Sequence, residues 1–201
     1  MSHFLDESNC PADPMELFNL WWSESKKDDT QDQTVMTLAT ISEEGTPSAR
    51  IVLLKSADHN GFLFFTNYTS RKAIELEKNP ATALVIHWEK TKKQVRVEGN
   101  VKKISDLESD EYFQSRPYGS QIGAWASPQS RIVPTRDYLL IRFKKYKDEF
   151  IERKVNRPAN WGGYRVIPEK IEFWMEQENR LHDRILYTKD NNQWGIARLA
   201  P

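Results

Sequence analysis

The segment NRLHDR, residues 179–184, sets Arg180, His182 and Arg184 at every second position. Read as a strand, that spacing puts all three side chains on one face, because strand side chains alternate. Three cationic or protonatable groups so close together repel one another, and Asp183 between them points to the opposite face. Either the face is wet, or something anionic compensates it; the lack of a local counterion favours a bound anion or carboxylates delivered from elsewhere in the fold. The histidine adds hydrogen-bonding or proton-transfer chemistry, because its charge changes near neutral pH. Nearby Trp174, in EFWME, offers a face on which a planar ring can stack. A core position is the commoner fate of a tryptophan.

Three other stretches gather cations and hydroxyls. FTNYTSRK, residues 65–72, ends a strand at Phe65 and Thr66 and opens a helix at Ser70, Arg71 and Lys72. Free backbone N–H groups at a helix start, joined by two cations, suit a phosphate. The plainer alternative is a solvated helix start with ordinary caps. RIVLLK, residues 50–55, sets Arg50 and Lys55 around the apolar Ile51, Val52, Leu53 and Leu54. Such cations either reach into pockets at the ends of a buried strand or snorkel to water. In YFQSRPYGSQIGAW, residues 112–125, Tyr112 and Arg116 are i, i+4 neighbours on a helix, and Ser120 follows a proline turn. A phenol, a guanidinium and a hydroxyl suit phosphate oxygens; a tyrosine packed on an arginine stem is the competing explanation. Four such patches in one chain suit a flat phosphorylated cofactor together with a phosphorylated substrate.

The elements that must position these residues can be read along the chain. DPMELFNLWW starts a helix, with Asp13 as cap and Pro14 at its first position. TVMTLATIS, SARIVLLKS and FLFFTN read as strands separated by the turns EEGTP and DHNG. TSRKAIELEKNP is a short helix capped by Thr69 or Ser70 and ended at Asn79-Pro80. TALVIHWE and QVRVEGNVKKI are strands. SDLESDEYFQSRP is a helix with a capping box from Ser105 to Glu108. TRDYLLIRFKKYKDEFIERK is a longer amphipathic helix. GYRVIPEKIEFWMEQ, DRILYTK and WGIARL close the chain as strands, the last two joined by DNNQ. Roughly seven or eight strands in antiparallel meanders, with helices around them, predict a mainly β fold with peripheral helices, a β-barrel in one domain. Residues 1–12 are expected to form a flexible arm and 13–26 the first helix.

Composition bounds the function. The 201 residues carry 29 basic and 29 acidic side chains, so a nucleic-acid binder, usually basic, is not indicated. The single cysteine, Cys10, excludes an intrachain disulfide and fits a reducing compartment. No signal-peptide pattern and no run of about 18 apolar residues is present, so a cytoplasmic protein without membrane spans is expected. There is no glycine-rich nucleotide loop. The histidines, His3, His59, His87 and His182, are scattered, and no metal site is expected.

RIVLLK, FTNYTSRK, QVRVEGNV, YFQSRPYGSQIGAWAS, WGGYRV, IEFW and NRLHDRILY with the terminal RLAP resemble the pyridoxine/pyridoxamine 5′-phosphate oxidases, in order and with similar spacing from about Pro11 to Pro201. The resemblance implies an FMN-binding split β-barrel, a homodimer with FMN at the subunit interface. It implies oxidation of pyridoxine or pyridoxamine 5′-phosphate to pyridoxal 5′-phosphate, with O2 reduced to H2O2. On the matching positions, residues Arg50 to Lys55, Phe65, Thr66, Ser70, Arg71 and Lys72 would line the FMN and its phosphate. Gln94, Gln129, Ser130, Trp174 and Arg184 would complete the flavin pocket. Lys55, Tyr112, Arg116 and Ser120 would hold the substrate phosphate, and Arg180 and His182 would lie over the substrate ring. Phe65 stands where a tyrosine is often found. Three alternatives compete: a flavin reductase using a nicotinamide donor, a carrier of pyridoxal phosphate or flavin, and a barrel with no cofactor.

Overall fold

The computed structural model describes residues 4–27 and 32–201; His3 and the first residues of the expected arm fall outside them. Among the described residues, nine strands form one sheet and their pairs are antiparallel. They are β1 (Val35–Ile41), β2 (Pro47–Leu53), β3 (Ser56–Asp58), β4 (Gly61–Asn67), β5 (Ala81–Trp88), β6 (Lys93–Lys103), β7 (Trp161–Met175), β8 (Asp183–Asp190) and β9 (Gln193–Arg198). Five α-helices surround them: α1 (Pro14–Ser25), α2 (Arg71–Lys78), α3 (Asp106–Ser115), α4 (Tyr118–Ala126) and α5 (Arg136–Glu149).

The sheet runs β2-β1-β5-β6-β7-β4-β3, with β8 on β7 and β9 on β8. The long β7 makes the split. It pairs with β6 along its length, but on its other edge the first half pairs with β4 and the second with β8. Alternating residues of the strands fill the interior, among them Leu38, Leu84, Ile86, Val95, Val97, Phe173 and Ile185, each at most 1% exposed. Helix α1 closes the core by laying Phe18 edge-on to Phe62 at 4.9 Å and Trp21 edge-on to Phe173 at 5.2 Å. Phe113, Ile122, Val155 and Trp161 form a second core beneath α3 and α4.

Local chemistry fixes most boundaries. Asp13 caps α1 by accepting from the Met15 N–H, with Pro14 in the first turn. Ser105 and Glu108 form the capping box of α3. Asn191 and Asn192, at φ 46° and 64°, make the two-residue turn between β8 and β9. Other expectations are corrected. SARIVLLKS is not one strand: β2 ends at Leu53 and β3 starts at Ser56. Nor is β2 buried, for it is an edge strand with Ile51 59% exposed. Helix α4 follows Pro117, where only a turn was read. Helix α5 fully buries none of its residues and reaches the second core only through half-buried Phe143 and Tyr146. Residues 4–10, in the expected arm, are tied to the chain's end: Leu5 is buried, its N–H donates to Asp183, and its carbonyl accepts from Arg198.

Candidate functional site

A cavity of about 760 Å³ opens between the end of β2, the end of β4, the start of α2 and the α3–α4 corner. It brings together residues that lie far apart in the chain. Ile51, Val52, Leu53 and Lys55 come from one patch, Phe65, Thr66 and Lys72 from a second, and Tyr112, Arg116 and Ser120 from a third. Gln129 reaches it from the loop after α4. Leu54, expected beside them, turns into the core and is 1% exposed.

The first wall is a buried ammonium. Lys72 is 8% exposed and donates to Thr66 Oγ1 at 3.3 Å, Gln129 Oε1 at 3.2 Å and Ser70 Oγ at 3.5 Å. It makes no ion pair with a carboxylate among the described residues. Burial lowers its pKa, the nearby Arg50 charge lowers it further, and Glu75 opposes both. Ser70 occupies the N-cap position of α2, but neither it nor Thr69 caps the helix through its side chain: Ser70 turns to Lys72, and Thr69 donates to Asn67. Arg50 is not free either. It pairs with Glu75 at 3.2 Å, and so does Arg71 at 2.8 Å. Arg71 and Ser130 border a neighbouring cleft of about 380 Å³.

The second wall is an aromatic stack carrying a guanidinium. Phe65 stacks on Tyr112 at 3.8 Å and on Trp161 at 5.3 Å. Arg116 lies over the Trp161 ring at 4.6 Å, within cation–π range. Its Nη1 is buried with no hydrogen-bond partner among the described residues. Burial lowers the Arg116 pKa, countered by Tyr112, yet arginine stays charged. A buried guanidinium donor left unpaired is costly, and Arg116 is one of the residues that line the cavity. The helical i, i+4 relation does not hold, because α3 stops at Ser115 and Arg116 is extended. Pro117 forces that exit. The stack meets Tyr112 and Arg116 all the same.

The remaining candidates form a separate group. Gln94, Trp174 and Arg184 are direct cross-strand partners on β6, β7 and β8, so they share one face. His182 leans on Trp174 at 4.7 Å, and its Nδ1 accepts from the Gln177 N–H at 3.1 Å. NRLHDR is not a continuous strand. Residues Glu178–Arg180 form a 3-10 turn, Asn179 and Arg180 have φ of 55° and 61°, and β8 begins at Asp183. Asp183, the first residue of β8, is buried and anchors this end of the strand by accepting from Arg198 Nη1 and Gln177 Nε2, both at 2.8 Å. Arg184 is not unpaired, because Glu172 accepts from its Nε at 2.9 Å. That is a carboxylate from elsewhere in the fold, one of the alternatives the spacing left open. Trp161 in the cavity and Trp174 in this group sit near opposite ends of the 15-residue β7.

Comparison with known proteins settles the family. Residues 24–149 match the family model described as pyridoxamine 5′-phosphate oxidase, and residues 161–201 match the pyridoxine 5′-phosphate oxidase C-terminal dimerisation region. The chain belongs to the pyridoxamine 5′-phosphate oxidase family. A pyridoxine/pyridoxamine 5′-phosphate oxidase of Coxiella burnetii is 51% identical over 94% of this chain and 96% of its own length. The one from Polynucleobacter asymbioticus is 50% identical over 98% and 93%. Among solved structures, PhzG from Burkholderia lata, crystallised with tetrahydrophenazine-1-carboxylic acid, superposes with a TM-score of 0.93 at 27% identity over 100% and 98% of the two chains.

Family membership makes the chain an FMN-dependent oxidase with the split-barrel fold, assembled as a homodimer. The residues present fit a phosphorylated flavin. Lys72 is a desolvated cation with no carboxylate at ion-pair distance among the described residues, in the first turn of α2, and Trp174 is a half-buried ring flanked by the polar Gln94 and Arg184. Among the residues the site adds to those expected from the sequence are Trp161, in the cavity wall, and Glu75, behind it. Nothing in the sequence marks Trp161 as the support of Arg116. The spacing of Arg71 and Glu75, four apart on a helix, did signal their pair.

Proposed function

We propose that this chain oxidises pyridoxine 5′-phosphate and pyridoxamine 5′-phosphate to pyridoxal 5′-phosphate, reducing O2 to H2O2 and releasing ammonia from the amine. The observation that carries the reading is the Arg116 donor, buried and unpaired, beside Lys55, Tyr112 and Ser120 in one cavity. Those four residues bind the substrate phosphate. Lys72 and Ser70, with Arg50 and Arg71 behind them, bind the cofactor phosphate at the start of α2. Phe65, Thr66, Gln129 and the β2 residues line the space between. When bound, FMN supplies the two-electron oxidation and passes the electrons to O2.

The second group completes the site from the other protomer. Gln94, Trp174 and Arg184 face outward on the far part of the sheet, so one protomer does not fold them over its own cavity. The partner subunit's Arg180 and the partner subunit's His182 then cover the substrate ring and fix its orientation. Arg184 acts as an oriented cation: Glu172 fixes its guanidinium but is shared with Arg96, so the group keeps a net positive charge. His182 accepts at Nδ1, so its neutral ring carries the proton on Nε2 and offers a hydrogen bond there. This favours orientation over proton abstraction.

The test is aerobic incubation of the FMN-loaded full-length protein with pyridoxine 5′-phosphate, following pyridoxal 5′-phosphate by absorbance and peroxide by a coupled assay. Both products are expected in equal amounts, with unphosphorylated pyridoxine a poor substrate. NADH oxidation without pyridoxal 5′-phosphate formation would instead make the protein a flavin reductase.

A further inference from the structure

One carboxylate ties Arg50 of β2 to Arg71 at the start of α2. Glu75 is 5% exposed and lies one turn after Arg71 and Lys72. Its Oε1 accepts from Arg71 Nε at 2.8 Å. Its Oε2 accepts from Thr40 Oγ1 at 2.5 Å, Ser48 Oγ at 2.7 Å and Arg50 Nη2 at 3.2 Å. Thr40 and Ser48 belong to β1 and β2, and Arg50 donates to both hydroxyls as well. The contact with Glu75 is the one side-chain hydrogen bond that Arg71 makes among the described residues.

We infer that Glu75 is a positioning residue for the flavin phosphate: it holds Arg50 and Arg71 beside Lys72 and sets the cluster's charge to suit a phosphate dianion. The inference rests on the proposed place of that phosphate. Three cations and one carboxylate leave a formal charge of +2. A phosphate monoester carries about −1.5 to −2 near pH 7. Glu75 stays ionised because its partners outweigh its burial. Burial alone would raise its pKa, but hydrogen bonds from Thr40, Ser48 and Arg71 and the charge of Arg50 hold it at about 2.

Two roles for this carboxylate predict opposite signs. As a mere counter-charge, Glu75 would weaken phosphate binding, and its removal would tighten it. As a positioning residue, its removal frees Arg50 and Arg71, and phosphate binding weakens. The geometry favours the second role. The Arg71 side chain is 61% exposed, so without Glu75 its guanidinium disperses into water at an entropic cost to any later binding.

The experiment compares FMN with riboflavin, which has the same ring and no phosphate. Flavin is removed from the full-length protein and titrated back, with binding read from flavin fluorescence. In Glu75→Gln, the Kd for FMN is expected to rise about tenfold and that for riboflavin less than twofold. An unchanged or lower Kd for FMN overturns the proposal. Ser48→Ala, on the exposed edge strand, should raise the FMN Kd in the same sense by a few-fold; it provides the test if Glu75→Gln does not fold, and no change there overturns the proposal. Lys72→Ala separates the two readings. If it leaves the FMN-to-riboflavin preference intact, the phosphate lies elsewhere and the proposed function's geometry fails too. If it removes that preference while Glu75→Gln does not, only the positioning role fails.

Discussion

At the scale of single residues, the site depends on charges that the fold has already arranged. Glu75 shows this through acid stability. Its pKa falls from an ordinary 4.5 to about 2 in the folded chain. A carboxyl with a depressed folded pKa contributes stability that is complete above the unfolded value and lost as pH falls toward the folded one. The shift corresponds to something on the order of 3 kcal/mol. Urea unfolding of the flavin-free protein should therefore show Glu75→Gln clearly destabilised at pH 7, with the difference from wild type shrinking between pH 4.5 and pH 2. A constant difference across that range would contradict the ion network. His182 offers a second residue-scale test. If its Nε2–H orients the substrate, His182→Gln, which can place an amide donor nearby, keeps activity within about tenfold of wild type, while His182→Ala loses considerably more. Equal losses in steady-state kcat/KM would point to proton transfer.

At the scale of elements, the α3–β7 contact aligns the aromatic wall. Gly162 passes so close to Tyr68 that an added Cβ would lie 2.1 Å from its hydroxyl and 3.0 Å from Ser109 Oγ. The Tyr68 hydroxyl donates to the Gly163 carbonyl at 3.3 Å, and an alanine would displace it. Gly162→Ala should cost roughly 1–3 kcal/mol through overpacking, and thermal melting should fall by roughly 2–4 °C per kcal/mol for a chain of this size. An unchanged Tm would show that the neighbours yield freely. Elements of this kind divide what the sequence tells from what it hides. The caps Asp13 and Ser105, the Asn191-Asn192 turn and the alternating strands obey local rules, so they are legible. The interruption of SARIVLLKS and the exposure of β2 depend on which strands become neighbours, and no local rule records that. NRLHDR misled for the same reason. Its period of two was real, but β8 begins only at buried Asp183, held by Arg198 from β9, and Arg180 and His182 lie outside the strand. The patches themselves were legible as cation-rich segments. Their convergence on one cavity, and the support of Arg116 by Trp161, came only with tertiary packing.

At the scale of the whole molecule, the account rests on a site divided between two protomers. The cavity with Arg116 and the group carrying Arg180 occupy different parts of one chain, and residues 161–201 match the family's dimerisation region. The proposed function requires that, in a twofold-symmetric homodimer, each cavity meets the partner's second group. Arg116→Ala and Arg180→Ala should each nearly abolish turnover alone. The decisive measurement mixes the two variants, by co-expression with different tags, and assays the purified heterodimer for pyridoxal 5′-phosphate formation. One of its two sites would carry both substitutions and the other neither, so about half the wild-type activity per dimer should return. Activity no higher than that of the two parent variants would mean that each protomer builds its own complete site, and would contradict the shared-site account.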